Sequence, residues 1–324
     1  MSADAKPRVS RTIDNTGMKL AQRRHAQAVV ILSAAGVVIA GGLWLTGHPP
    51  DAHDLAILVV AYTLATIGIS VGFHRHFTHA SFKAAVPLRV VLGILGSMAM
   101  QGTLKFWVSL HRQHHEYSDH ENDPHSPYVL ESGEKLGRLA GLWHSYIGWS
   151  FNHAVPNSAY YARDLMRDRV MSHVNRLYFV WVALGFAAPA LAGGLLHHSW
   201  VGALSGLAWG GLIRLWCGHN MIWAITSLTH VFGRRDFRSG DESTNNGWLC
   251  IYTLGESWHN NHHAFPSAAV LWFRWYQVDL SGMLIRGFQG LGLAWDVGIP
   301  PKRLLAGKHN IDPVSPRSTP EEGT

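Results

Sequence analysis

The residues with the clearest chemical capacity are histidines, 22 in a chain of 324. Two groups repeat one pattern: His111, His114 and His115, then His259, His262 and His263. On a helix, positions i, i+3 and i+4 share a face, so each run offers imidazoles along one stripe, as a metal site requires. At this histidine content one such run arises by chance about 0.1 times per chain, and two about once in two hundred chains. The repetition is therefore the signal. A third group, His74, His76 and His79, has its outer members five apart. That is about 140° around an α-helix, so the two serve different metals or straddle an unwinding turn. His230 stands alone. His25, His48, His53, His153, His173, His197, His198 and His309 have no partner at ligand spacing and read as surface or interfacial residues, with His120 and His219 undecided.

Ligand type limits the metal. Neutral imidazole suits Zn, Cu, Fe and Ni, and Cys217 and Cys250 form no CxxC pair, which argues against a structural zinc or an iron–sulfur centre. The clustered histidines exceed the needs of one four-coordinate zinc, so two metals are the economical reading. No HExxH hydrolase motif occurs, and the single Glu-x-x-His, Glu256 to His259, does not support a carboxylate-bridged bundle.

The elements that must hold these residues are apolar. The chain is 47% hydrophobic and 15% charged, with a formal charge of +6, which excludes a disordered, collagenous or disulfide-scaffold protein. Its apolar residues gather into runs at 28–47, 55–72, 178–196 and 201–222, each near the ~20 residues that cross a bilayer as a helix. The pattern predicts an all-α integral membrane protein, multi-pass, with four transmembrane helices. The first three runs carry no Asp, Glu, Lys or Arg; the fourth meets Arg214 past its middle, where it is expected to snorkel towards the interface.

Lys6, Arg8, Arg11, Lys19, Arg23 and Arg24 precede the first run, whereas the link 48–54 holds Asp51 and Asp54 and no base. The positive-inside rule then predicts a cytosolic N-terminal segment (1–27), a membrane domain (28–305) with a cytosolic helical cap at 73–177 and 223–305, and both termini in the cytosol. Residues 306–324 read as a disordered tail. The polar start and the long first run argue against a cleavable signal peptide. Residues 85–103 are also apolar and long enough to span. Were they to cross, the histidines near 74 and near 111 would face opposite sides, so the metal argument requires this segment to be interfacial or re-entrant. A histidine-rich dimetal centre at a membrane surface points to redox chemistry on a lipid-like substrate, because attack on an unactivated C–H bond needs oxygen activated by a metal.

His74-Arg-His-Phe-Thr-His79, His111-Arg-Gln-His-His115 and His259-Asn-Asn-His-His263 resemble the three histidine boxes of the membrane fatty acyl desaturases, on the stearoyl-CoA desaturase branch. Gly72, Ser118-Asp119, Asp123-Pro-His-Ser126, Gly255-Glu256 and Ala264-Phe265-Pro266 are similar too, and the likeness runs from about residue 55 to Val297. The resemblance implies a di-iron centre on the cytosolic side of four transmembrane helices, with ligands His74, His79, His111, His114, His115, His230, His259, His262 and His263. His76 occupies a place usually apolar in the family and is not counted. His125 and His144 match family positions without being ligands, with a supporting role. Trp223 matches a tryptophan lining the acyl tunnel, and reads equally well as an interfacial belt residue. Asn246 falls where the family often has Asn, as a supporting or helix-capping residue.

Two positions depart from the family. Thr226 stands where an Asn usually holds one iron through water, which implies altered tuning and not loss of metal. Ser109 and Leu110 replace an Arg-Asp pair that helps bind coenzyme A in the animal enzymes. The carrier is thus acyl-CoA, acyl-carrier protein or a lipid acyl chain. The implied reaction is oxygen-dependent desaturation: O2 is reduced, a hydrogen leaves each of two adjacent methylenes, a cis double bond forms and water is released.

Lys83, Arg89, Lys105 and Arg112 lie near the boxes and either meet an anionic carrier or mark a cytosolic membrane face. No haem motif, GxGxxG or iron–sulfur cysteine run occurs, so the electrons are expected from an external donor of ferredoxin, rubredoxin or cytochrome b5 type with its reductase. No nucleic-acid partner is expected. The nearest alternative keeps the metals and changes the outcome, as a di-iron hydroxylase or oxidase. A metal transporter is the alternative from another class, disfavoured by charge-free spans.

Overall fold

The computed structural model describes residues 9–309 and is mostly helical. Helix α1 (Thr16–Leu45) starts where the Asn15 side chain accepts the amide of Met18. It is longer than the run that predicted it, extending back into the segment 1–27. After a short link, Asp51 opens α2 (Ala52–Thr78) with a capping box: its side chain accepts the Asp54 amide while the Asp54 carboxylate accepts the amide of Asp51. A later apolar helix, Tyr178–His197, leads through Ser199 into a continuous helical stretch from Trp200 to Val231.

Among the described residues three helices are long and apolar enough to cross a membrane: Thr16–Leu45, Ala52–Thr78 and Tyr178–His197. They expose Ile31, Val38, Phe179 and Leu191, a surface suited to lipid and not to water. The stretch from Trp200 to Val231 does not join them by composition. Its Arg214 is 2% exposed. The guanidinium donates to the carbonyls of Met98, Gly185 and Gly210 and sits over the Phe186 ring. The expected snorkelling is therefore replaced by burial, because two carbonyls from neighbouring helices and one from its own helix satisfy its donors inside the bundle.

The ambiguous apolar segment resolves into a short helix, α3 (Val86–Met98), of 13 residues. At 1.5 Å per residue this reaches roughly 20 Å, short of a ~30 Å hydrocarbon core. Met100 and Gly102, both with positive φ, then turn the chain into α4 (Leu104–Tyr117). The reversal is built on close backbone contact: a Cβ at Gly68 of α2 would fall 2.1 Å from the amide nitrogen of Gly96 in α3. Phe73, Phe77, Leu92, Leu104 and Val108 pack in one core at this junction.

Short helices and turns cover the histidine-bearing end, with two small antiparallel pairings. Thr12–Ile13 pairs with Val155–Pro156, and Lys83–Ala84 with Ala294–Trp295. Residues 306–308, expected in the tail, close the helix Lys302–Lys308, and Phe237 bridges to His309. The rest of the expected tail lies outside the described residues.

Candidate metal centre

The end of α2 is wound as a π-helix over Gly68–Thr78, and the His79 amide donates to the His74 carbonyl at 3.2 Å. This i→i+5 bond brings together two rings that an α-helix would splay, with centroids 4.9 Å apart. On α4, His111 and His115 face those rings while His114 faces the opposite way along the stripe. The helix His259–Ala264 divides its triplet likewise, and His230 arrives from the last turn of Arg214–Val231. The nine rings form two groups, His74, His79, His111, His115 and His262 in one, and His114, His230, His259 and His263 in the other. Within each group the candidate ligand atoms all lie within 4.8 Å of one another.

The tautomers are set from outside. The Nδ1 atoms of His114, His230 and His263 donate to Asp123, Asp119 and Asp241, and His74 Nδ1 lies 2.9 Å from Glu256. With one proton on Nδ1, the Nε2 of His74, His114 and His263 is a lone pair pointing inward. The inward nitrogens crowd: His74 and His262 Nε2 are 3.0 Å apart, His115 and His262 2.9 Å, and His230 and His259 3.1 Å. Nε2 of His79, His114 and His263 is buried with no hydrogen-bond partner. Converging buried lone pairs repel unless a cation sits among them. Two ligands about 2.1 Å from one ion at right angles stand about 3.0 Å apart, which is the spacing observed. The residues thus fit a pair of imidazole-bound metal ions.

Protonation agrees. Burial first, and then neighbouring imidazoles, push His79, His111, His115, His259 and His262 well below the usual imidazole value, and burial takes His263 down to about 4. These rings are therefore neutral, the form that binds metal. Burial would raise the Asp241 and Asp123 carboxyls, but His263 and His114 beside them hold both well below the usual carboxylate range.

A charged network missed by spacing supports this shell. Arg75, inside the first histidine run, is 1% exposed and forks onto Asp279 with two 2.9 Å bonds. It also donates to Glu256 at 2.9 Å and to the Ala269 carbonyl. Asp279 in turn accepts the amides of Leu271 and Gly282. One cation thus ties α2 to the segment carrying the third histidine run. The only sequence signal was an arginine inside a stretch destined for burial, where arginine must be paired.

Other expected residues lie apart from the two groups. His76 Nδ1 donates to the Phe82 carbonyl, and His120 Nδ1 to the Ser118 carbonyl. His125 lies with its ring tilted against His114, centroids 4.2 Å apart, beside Asp123, in a supporting position. His144 belongs to neither group. Thr226 donates to the Ser145 carbonyl at 2.7 Å. Asn246 caps the turn Gly247–Leu249 and reaches the Phe232 carbonyl, so it supports a local turn and touches none of the nine rings. The four nearby bases are engaged within the protein: Lys83 with Asp296, Arg89 with Asp168, Lys105 with Ser172 and Arg112 with Asp164. A carrier would have to compete for them.

A cavity of about 350 Å³ lies beside the first group, separated from it by Trp107. Trp223 lines it, with Phe106, Leu110, Tyr178, Ile222 and Trp107. The Trp107 ring stacks on His111 with centroids 5.0 Å apart, so the cavity wall is one ring away from the first group. A mostly apolar cavity beside a metal-binding cluster can present a hydrocarbon chain to a reactive metal.

The family profile described as Fatty acid desaturase matches residues 52–280, a span that contains all nine histidines. The chain is 44% identical over 305 residues to the Hex-5-enoyl-[acyl-carrier protein] acetylenase of Moorena producens, covering 94% of this chain and 95% of that one. It is 37% identical over 261 residues to the sn-1 stearoyl-lipid 9-desaturase of Synechocystis sp., covering 79% and 75%. With the Delta-9 acyl-lipid desaturase 1 of Arabidopsis thaliana it shares 35% identity over 247 residues, covering 76% and 75%. Clusters, cavity and relatives agree: the chain belongs to the fatty acid desaturase family.

Proposed function

We propose that this chain is an oxygen-dependent fatty acyl desaturase whose nine grouped histidines hold two iron ions, and that it takes an acyl thioester of acyl-carrier protein. The observation that carries the metal reading is the convergence of carboxylate-anchored imidazoles on two centres beside an apolar cavity. The carrier rests on the Moorena relative, which matches nearly end to end and is named for an acyl-carrier-protein substrate. When bound, the irons supply oxygen-activating redox chemistry: O2 accepts two hydrogens from adjacent carbons and two electrons with two protons, leaving water and a cis double bond.

The chain's own residues do the positioning. Asp119, Asp123, Asp241 and Glu256 hold the Nδ1 protons of His230, His114, His263 and His74, so that Nε2 faces the metals. Trp107, Phe106 and Trp223 confine an acyl chain against the first group and keep bulk water from the C–H bonds being broken. The membrane arrangement extends the same reading: four spans, with the stretch 201–222 as the fourth, and a helical cap, active site and both termini in the cytosol. Its support is the basic N-terminal segment and the failure of α3 to reach across a bilayer. No electron-carrier motif occurs in the sequence, so the donor is external, a ferredoxin, rubredoxin or cytochrome b5 with reductase.

Expression in a desaturase-deficient host, with mass spectrometry of acyl products, tests the activity. A product two hydrogens lighter is expected; one oxygen heavier would indicate a hydroxylase. Supplying acyl-carrier-protein thioesters and membrane lipids separately to the purified enzyme with a reductase chain then separates the carriers.

A further inference from the structure

The far end of α2 carries a second convergence. Asp51, His53 and Asp54 open the helix, and His197 closes Tyr178–His197, which packs against it. The capping box uses one oxygen of each carboxylate: Asp51 Oδ1 accepts the His53 and Asp54 amides, and Asp54 Oδ2 accepts the Asp51 amide. The remaining oxygens turn towards the two imidazoles. Asp51 Oδ2 lies 3.3 Å from His53 Nδ1, and Asp54 Oδ1 lies 3.5 Å from His197 Nε2. His197 Nε2 is also 3.8 Å from Asp51 Oδ1, the oxygen that caps the helix.

Two of these atoms are left unmatched. Asp54 Oδ1 and His197 Nε2 are both buried and neither makes a hydrogen bond, although they face each other. The Asp54 side chain is 4% exposed, so water does not replace the missing partner. A buried carboxylate oxygen without a donor is costly. In a tetrahedral site with ligands about 2.0–2.1 Å from the ion, donor atoms stand about 3.4 Å apart. The donor atoms of Asp51, His53 and His197 all lie within 4.8 Å of one another, and Asp54 Oδ1 stands about one such edge, 3.5 Å, from His197 Nε2. Nothing in the spacing of His53 and His197 along the chain marks them as partners; only the packing of the two helices brings their rings to 5.5 Å.

We propose that Asp51, His53 and His197 form a second, structural metal site for a single divalent ion of the zinc class, which Asp54 completes from beside His197. Two imidazoles and two carboxylates are a borderline-hard donor set that zinc accepts. The ion would clamp the start of α2 to the end of Tyr178–His197, at the opposite end of α2 from the nine histidines. It takes no part in oxygen chemistry.

Full-length, iron-loaded protein equilibrated with Zn2+ and freed of excess metal tests the site by elemental analysis. Wild type should retain one zinc per chain that Asp54→Asn and His197→Gln lack, at equal iron content and equal desaturation. Asn at 54 keeps an oxygen for the Asp51 amide, so the helix cap survives. His53→Ala, at an exposed side chain, gives a third reading that does not risk the fold: its zinc should be lost or more weakly held, and added Zn2+ should raise the thermal midpoint of wild type more than of this variant. Equal zinc in wild type and all three variants, or no zinc in wild type beyond the nine-histidine centre, would overturn the proposal.

Discussion

The two histidine groups are built differently. In the group of His74, His79, His111, His115 and His262, only His74 meets a carboxylate among the described residues. In the group of His114, His230, His259 and His263, three of the four rings do. A carboxylate on Nδ1 fixes the ring and raises the basicity of Nε2. The first group therefore relies on numbers and on the stiffness of α4 and the π-helical end of α2. The second relies on orientation from loop aspartates. If each group holds one ion, as proposed, the two are held by unlike means, and their sensitivities to mutation should differ.

The largest effect is expected where a ring shared between backbone supports is lost. His262→Ala removes an imidazole within 3.0 Å of both His74 and His115 and should abolish turnover and lower iron content while the protein stays membrane-inserted. Unchanged iron stoichiometry would remove His262 from the ligand set. Next comes Arg75→Met, which leaves Asp279 and Glu256 buried without their cation. A loss of about 3–5 kcal/mol in stability is expected, read as a fall in thermal midpoint before any change in chemistry. A smaller effect separates the groups directly. Asp241→Asn keeps the shape but weakens the anchor of His263, and should cost about 10–100-fold in affinity for one metal while the other stays bound. Loss of both ions together would erase the distinction drawn between them.

The mildest prediction concerns pH. His263 has its folded value lowered to about 4 by burial, against an ordinary value of 6.5. A lowered imidazole value stabilises the fold fully above 6.5 and loses that contribution as pH falls towards 4. Stability of the metal-free protein should thus decline through this window on acidification. A thermal midpoint that rises as pH falls from 6.5 to 4 would contradict the burial of these rings as neutral groups.

The histidine triplets were legible in the sequence because i, i+3, i+4 spacing is a property of any helix, and the resemblance supplied His74, His79 and His230. The anchors were not. Asp119, Asp123 and Asp241 sit in turns, where no periodicity records which way a side chain points, and Glu256 serves His74 in place of its near neighbour His259. The π-helical winding was visible only as a five-residue gap, read as two different metals or an unwinding turn. Three apolar helices were legible from composition alone. Arg214 was not, since a single base in an apolar run looks the same whether it reaches for water or for three carbonyls.

The central claim is that two iron ions lie in separate histidine groups beside the acyl cavity. Anomalous diffraction from crystals of the purified enzyme, recorded at the iron edge, tests it most directly. Two peaks are predicted, one among His74, His79, His111, His115 and His262 and one among His114, His230, His259 and His263. A single peak, or signal at these rings from zinc and none from iron, would contradict the account.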